Sequence, residues 1–154
     1  KAVLDAKWLS GDGETRPALV AYIVTQSNGQ KIAIDMKPPQ MKKMYELGKM
    51  AFYYRSGPMD FACTTCHGEA GKRIRLQDLP DLRTQAGAAA GWGTWPAYRV
   101  SSGEFWTMQH RLNDCYRQQR TAEPIYGSDV TIALSVFLAA TANGGPVLTP
   151  GLKR

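Results

Sequence analysis

The stretch FACTTCHGE, residues 61–69, decides how the rest of the sequence is interpreted, because it gathers two of the three cysteines and one of the two histidines. Cys63, Cys66 and His67 form the pattern C-x-x-C-H, which is typical of covalent c-type haem attachment. On one helical turn, each thiol can form a thioether with a haem vinyl group, and the adjacent imidazole then lies beneath the iron as its proximal ligand. A thioredoxin-like C-x-x-C and half of a zinc site are the alternatives, but the sequence lacks a βαβ setting for the first and another close Cys or His pair for the second. We therefore predict one haem c bound by these three residues.

Apolar spacing on both sides of the motif predicts a mainly α fold. Residues 41–57 carry apolar side chains at helical spacing and end at a Gly-Pro stop. Residues 101–120 and 126–144 predict two more helices, capped by Ser102 and Ser128. The Gly-, Pro- and Ala-rich stretch between the motif and the second helix predicts loop with short helical turns, and no part of the sequence predicts a convincing sheet.

Two short patterns predict how the outer helices of this fold pack. Gly48 and Phe52 lie four residues apart before the motif, and Leu134 and Phe137 lie three apart in the last helix. The pairing resembles the crossed first and last helices of cytochrome c, where a glycine lets two backbones approach closely. We therefore predict a cytochrome c fold.

A weak internal repeat indicates the domain organisation. Residues 18–32 and 133–147 share Ala, Leu, Asn and Gly at matching places, and each reads as an apolar helix that stops at Asn-Gly. We expect residues 1–35 to be the tail of an amino-terminal cytochrome c-like domain whose body is missing, and residues 36–154 to be the c-type haem domain. Two unrelated helices with ordinary C-caps are the alternative.

Composition restricts the partners. The chain of 154 residues has the size of one domain and a net charge of +6. No apolar run is long enough to cross a bilayer, and the amino end lacks the apolar region of a signal peptide, so we expect neither. The basic residues are scattered outside any nucleic-acid module, so we expect no nucleic acid and instead a basic docking face for a protein or an anion.

The opposite face of a bound haem needs a further ligand or stays open, and the candidates are Met108, His110 and Cys115. Met108 and Cys115 lie seven residues apart and share a helix face, so periodicity does not choose between them. His110 points about 140° away from Cys115 on an ideal helix, and we expect it at the surface. With Met108 as the ligand, the protein is a plain electron carrier and Cys115 is an incidental buried thiol.

Two observations favour Cys115. An unpaired thiol is a liability in the oxidising compartment where cytochromes with covalent haem mature, unless the protein uses it. Arg111 lies one helical turn before Cys115, and Arg117 and Arg120 follow, so a positive field would favour thiolate and could hold an anion beside the sulfur. The alternative is that these arginines only solvate a helix surface.

The motifs, taken in order, resemble one known family. They are FYYRSGPMDFACTTCHG, PAYR at 96–99, RLNDCYRQQR, EPIYGSD and ALSVFLAATANGGPVLTPG. Together they resemble the carboxyl-terminal haem domain of SoxA, the catalytic subunit of the SoxAX cytochromes of bacterial thiosulfate oxidation. The resemblance runs from about residue 41 to the end, and residues 18–35 are similar to the close of that family's amino-terminal domain.

The resemblance implies a role for each candidate residue. Cys63 and Cys66 would hold the haem, and His67 would be its proximal ligand. Cys115 would be the distal ligand, often carrying an extra sulfur as a persulfide. Arg111 would be the active-site arginine that positions thiosulfate.

The resemblance also implies a reaction and its partners. The family is a periplasmic L-cysteine S-thiosulfotransferase that joins thiosulfate oxidatively to a cysteine of the SoxYZ sulfur carrier protein and passes two electrons through haem to the SoxX cytochrome subunit. One rival is an electron-transfer cytochrome c with Met108 as sixth ligand. The other is a tetrathionate-forming thiosulfate dehydrogenase, whose family resembles a chain with two C-x-x-C-H motifs, whereas one is present here.

Overall fold

The computed structural model describes residues 15–74 and 77–154, and the described part is mainly helical, as predicted. The helices are α1 (Thr15–Thr25), α2 (Pro39–Tyr53), α3 (Cys63–His67), α4 (Gln85–Trp92), α5 (Met108–Gln118) and α6 (Asp129–Thr141). The haem-motif residues thus form α3, a single short helix between the two longer predicted ones. None of the described helices has the length and apolar character that crossing a bilayer requires.

The expectation that the chain has no sheet is wrong. The strands are β1 (Arg73–Ile74), β2 (Gln77–Asp78), β3 (Ala97–Arg99), β4 (Glu104–Trp106) and β5 (Gly151–Lys153). The first two form an antiparallel hairpin, and the others form a sheet in the order β4-β3-β5, antiparallel and then parallel. Strands of two or three residues are too short to show an alternating pattern in the sequence.

The same sheet corrects the predicted start of α5. The predicted helix from Ser102 begins only at Met108, because residues 104–106 pair with β3. Thr107 is the actual N-cap, and its hydroxyl accepts a hydrogen bond from the His110 N–H at 3.3 Å. Only the N-cap residue separates β4 from α5, so the first turn of α5 lies next to the end of that strand.

The predicted crossing of α2 and α6 is confirmed. A Cβ atom placed on Gly48 would lie 2.0 Å from the carbonyl oxygen of Ala133 and 2.8 Å from the Cβ of Phe137. Only glycine therefore lets the two backbones meet. Phe52 packs on Phe137 with ring centroids 5.1 Å apart, and both side chains are buried.

The main core grows from this crossing towards the haem motif. Its buried members are Phe52, Leu82, Leu112, Leu134, Phe137 and Leu138. Cys63 from α3 and Met108 and Tyr116 from α5 pack against its edge. One apolar core therefore positions both the C-x-x-C-H turn and the helix that carries Cys115.

The two predicted Asn-Gly stops are confirmed as helix ends. Gly29 and Gly144 follow α1 and α6 with φ of +81° and +84°, the left-handed conformation that glycine adopts freely. The turns also meet, since the Gly29 N–H donates to the Val147 carbonyl at 2.7 Å and the Gly144 N–H to the Ile32 carbonyl at 2.8 Å. The division at residues 35 and 36 stays a prediction, and residues 1–14 of the expected tail lie outside the described part.

Candidate functional site

The C-x-x-C-H turn is closed by a threonine inside it. The Ala62 N–H donates to the Thr65 hydroxyl at 3.0 Å, and the Thr65 N–H donates back to the Ala62 carbonyl at 3.0 Å. This pair of bonds fixes the first turn of α3. Cys63 and Cys66 are half-buried and both thiols are free. Two free thiols and an imidazole on one fixed turn are the arrangement that thioether attachment needs.

The His67 ring is oriented by a carbonyl that sequence reasoning missed. Nδ1 lies 3.0 Å from the Pro80 carbonyl oxygen, which can only accept, so Nδ1 carries the proton and Nε2 is the free ligand nitrogen. The Leu82 N–H donates to the His67 carbonyl at 3.0 Å and holds the same loop in place. Burial lowers the pKa of His67, and the Arg111 charge lowers it further, which favours the neutral form that binds metals. A main-chain oxygen leaves no signal in a sequence.

Cys115 reaches the same space from α5. Its thiol is half-buried, and its charge interacts with those of Cys63 and Cys66. The charge of Arg111 acts on both Cys115 and His67. Cys63, Cys66, His67, Arg111 and Cys115 therefore lie in one region, within the range over which the charges of Arg111 and of the cysteines act.

The positive field that the sequence predicted does favour the thiolate of Cys115, but burial opposes it and has the larger effect. Burial raises the pKa of Cys115, and although Arg111 and Arg99 lower it, burial outweighs them. A coordinating cation deprotonates a thiol outright. This buried thiol is therefore better suited to binding a metal than to acting as a free nucleophile.

The position of Arg111 is set by Asp114, a residue that the sequence analysis did not consider. Asp114 is 6% exposed and accepts hydrogen bonds from Arg111 Nη1 at 2.7 Å and from Gln118 Nε2 at 2.7 Å. Arg117 binds the other carboxylate oxygen. Arg117 is thus committed to Asp114, and Arg99 from β3 takes the place that we expected Arg117 to take near the thiol.

The two other candidate ligands have different surroundings. Met108 is half-buried and packs against the main core. His110 is half-buried instead of lying at the surface as expected, because its ring stacks on Trp106 with centroids 4.1 Å apart and an interplanar angle of 15°. Tyr126 forms a T-shaped pair with the same ring, with ring centroids 6.4 Å apart. His110 is therefore held in an aromatic stack.

The donor set fits a covalently bound haem. A cavity of about 530 Å³, lined largely by apolar side chains such as Met50 and Val130, borders Cys63 and Tyr116, although neither His67 nor Cys115 lines it. Within the described residues, no group of three or more His, Cys, Asp or Glu side chains is placed to hold a metal ion. A haem iron needs only two protein ligands, since the porphyrin nitrogens supply the rest.

No protein-family model matches the chain. It is 66% identical over 152 residues to the L-cysteine S-thiosulfotransferase subunit SoxA of Hydrogenophilus thermoluteolus, an alignment that covers 99% of this chain and 56% of that subunit. The chain belongs to the SoxA family. The resemblance seen in the sequence is thereby confirmed.

Other SoxA proteins give the same result. A SoxA subunit of Hydrogenobacter thermophilus is 40% identical over 138 residues, which are 89% of this chain and 52% of that protein. The crystal structure of SoxXA from P. pantotrophus matches with a TM-score of 0.82 and 26% identity, over 99% of this chain and 56% of that one. The chain therefore spans about half the length of the SoxA proteins it matches.

Proposed function

We propose that this chain is a haem domain that conjugates thiosulfate oxidatively to a cysteine of a sulfur carrier protein. The proposal is supported by the electrostatic influence of Cys115 on Cys63 and of Arg111 on both Cys115 and His67. In this proposal, residues 36–154 form a c-type haem domain with a cytochrome c fold. Residues 1–35 belong to the end of a preceding cytochrome c-like domain.

The chain's own residues suit the binding of haem c. Cys63 and Cys66 would carry the thioether bonds, and His67 and Cys115 would bind the iron. The Pro80 carbonyl keeps the proton on Nδ1 of His67, so that Nε2 is available. When bound, the haem supplies a path by which electrons leave the site.

Arg111 is proposed to hold the oxyanion part of thiosulfate. A guanidinium can bind an oxyanion with two parallel N–H donors, and such charge-assisted hydrogen bonds are about twice as strong as neutral ones. The bond from Arg111 Nη1 to Asp114 fixes the side chain before substrate arrives, while its remaining N–H groups can face the substrate. Asp114 would thus be a positioning residue.

The proposed reaction balances as an oxidation. A sulfur–sulfur bond forms between the terminal sulfur of thiosulfate and the sulfur of the carrier's cysteine. The carrier's thiol loses its proton to solvent, and two electrons leave the sulfur atoms. A SoxX-type cytochrome subunit is the proposed electron acceptor, which is supported by the match to a SoxXA structure. A SoxYZ-type protein is the proposed carrier, and the periplasm is the proposed compartment.

The decisive experiment replaces Cys115 by methionine. Cys115→Met supplies another sulfur ligand but no thiolate, so we expect a folded haem protein that loses nearly all turnover. The measurement is the mass of the carrier protein after incubation with thiosulfate, alongside the visible and EPR spectra of the haem. Met108→Leu is the matched control and should keep the spectra and the activity. Full turnover in Cys115→Met would contradict the proposed site, and loss of the native spectrum in Met108→Leu alone would favour the electron carrier.

Arg111→Lys tests the role of the guanidinium separately. Lysine keeps the charge and loses the planar fork, so we expect the KM for thiosulfate to rise about tenfold while the haem spectrum stays unchanged. An unchanged KM would show that Arg111 does not bind the substrate.

A further inference from the structure

The small sheet places two more cations beside Arg111. Arg99 on β3 and Lys153 on β5 are direct partners in the parallel pairing of these strands. Burial lowers the pKa of Arg99 and of Lys153, and the charge of Arg111 lowers both further. Arg99 and Lys153 therefore lie together within the electrostatic range of Arg111, and the charges of Arg99 and Arg111 both lower the pKa of Cys115.

Arg99 has donor capacity that the protein does not use. Its Nε atom is buried and has no hydrogen-bond partner, while Nη1 donates to the main-chain oxygen of Arg154. Glu104 is its cross-strand neighbour, but that carboxylate accepts from the Trp106 indole N–H at 3.3 Å instead. Across residues 15–74 and 77–154, none of the observed ion pairs includes Arg99 or Lys153.

An aromatic stack holds Arg99 in this position. The guanidinium carbon lies 5.1 Å from the centre of the Trp106 ring, and His110 stacks on the same side chain with ring centroids 4.1 Å apart. Trp106 directly precedes Thr107, the N-cap of α5. The stack therefore ties the orientation of Arg99 to the helix that carries Arg111 and Cys115.

One buried carboxylate serves several cations here. Asp114 pairs with Arg111 and Arg117, and its charge also raises the pKa of Arg99. Partly buried like charges raise the free energy of the folded state unless an anion compensates them. An unpartnered buried N–H group adds a further cost that a hydrogen-bond acceptor would remove. A small oxyanion with two negative charges supplies both the charge and the acceptors.

We propose that Arg99, oriented by Trp106, and Lys153 complete with Arg111 a pocket that binds the sulfonate end of thiosulfate next to Cys115. The proposal deepens the function proposed above and rests on it for the identity of the substrate. Arg99 and Lys153 are binding residues, and Trp106 is a positioning residue. The three cations leave the terminal sulfur of thiosulfate free to react, since they bind its oxygen atoms.

The test compares Arg99→Gln and Arg99→Lys with an exposed arginine. We expect Arg99→Gln to raise the KM for thiosulfate about ten- to a hundredfold and to change kcat less than about threefold, because a charge-assisted bond to the ground state is lost. Arg99→Lys should lie between Arg99→Gln and the unchanged protein. Arg55→Gln is the control, because Arg55 is exposed and pairs with Asp60 at the surface.

A second measurement tests anion binding in this pocket independently of the proposed reaction. Calorimetric titration of the haem-loaded subunit with thiosulfate, and with sulfate as an unreactive oxyanion, gives the equilibrium affinity directly. If Arg99→Gln lowers the affinity for these anions, the pocket is supported, even when the protein does not modify a carrier. Failure to modify a carrier would contradict only the proposed function. Normal turnover together with unchanged affinity and KM in Arg99→Gln would overturn the pocket.

Trp106 provides a variant for the case in which Arg99→Gln does not fold. Trp106→Phe keeps an aromatic face under the guanidinium, whereas Trp106→Leu removes it. We expect Trp106→Leu to weaken thiosulfate binding severalfold and Trp106→Phe to retain most of the affinity. Equal affinities in the two variants would overturn the positioning role.

Discussion

The α2–α6 crossing and the corner between α5 and the sheet are both tightly packed, but they are built from opposite chemistry. At the crossing, Gly48 lets two backbones touch, and Phe52 and Leu134 are 1% and 0% exposed. At the corner, Asp114 is 6% exposed among the side chains of Arg111, Arg117 and Gln118. Apolar packing at the crossing fixes the shape of the domain. The net contribution of the charges at the corner to stability is small, and in our proposal they prepare the molecule to bind an anion.

This difference separates two classes of variant. A change at the crossing should destabilise the whole domain and affect function only through unfolding. A change at the corner should alter anion binding by more than its effect on stability would explain. Denaturation and thiosulfate affinity, measured on the same variants, place each residue in one class.

Gly48→Val should have the largest effect on stability. The added side chain would overlap the Ala133 carbonyl, so that α2 and α6 would have to move apart and expose part of the core. We expect a loss of more than about 3 kcal/mol in the free energy of unfolding, measured by urea denaturation of the haem-loaded protein. Lys49→Ala is the neighbouring exposed control, expected to change stability by less than about 0.5 kcal/mol. Native-like stability in Gly48→Val would show that the close crossing is not essential.

Asp114→Asn should come next. Asparagine has the same shape but removes the charge that partly buried Arg111 relies on, and breaking one side of a buried ion pair costs about 3 kcal/mol. Here thiosulfate affinity should also fall, because Arg111 is no longer held. Asp60→Asn is the matched control, since Asp60 pairs with Arg55 at the surface, where its side chain is 71% exposed. If Asp114→Asn loses stability but keeps its thiosulfate affinity, the positioning role of Asp114 is wrong.

The N-caps of α4 and α5 allow a comparison in which the expected loss of stability is smaller and equal in the two variants. Thr107 caps α5 and accepts from the His110 N–H at 3.3 Å, while Thr84 caps α4 and accepts from the Gly87 N–H at 3.1 Å. Replacing either by alanine should cost about 1 kcal/mol of stability. Only Thr107→Ala should also weaken thiosulfate binding, because α5 carries Arg111 and Cys115. If the two variants bind thiosulfate equally well, the N-cap of α5 does not contribute to the binding site.

The sequence made the crossing predictable because its signals are local and periodic. Gly48 and Phe52 lie on one helix face, as do Leu134 and Phe137. The C-x-x-C-H spacing likewise predicts a single helical turn. The Asn-Gly stops after α1 and α6 are also local, and both are confirmed by the glycine conformations. Each of these features depends on residues only a few positions apart.

The corner could not be predicted in the same way because its parts lie far apart in the chain. Arg99 and Lys153 meet only through the pairing of β3 with β5, and strands of three residues leave no periodic pattern. The Pro80 carbonyl that orients His67 belongs to the main chain. Asp114 was adjacent to Cys115 in the sequence, but nothing local showed that it is buried or that it would bind Arg111 and Arg117.

Arg117→Gln should have the smallest effect, and it tests whether burial decides the value of an ion pair at the corner. Arg117 and Arg111 share Asp114, but their side chains are 62% and 22% exposed. Water screens the more exposed pair, so that its loss should cost less than about 0.5 kcal/mol. Glutamine can still donate a hydrogen bond, and Arg111 keeps Asp114 charged and in place, so thiosulfate affinity should also remain within about twofold of the original value. Urea denaturation and calorimetry on the same preparation measure both quantities. A loss as large as that of Asp114→Asn would mean that Arg117, and not Arg111, is the main partner of the buried carboxylate, and the assignment of Arg111 as the prepositioned anion ligand would have to be reversed.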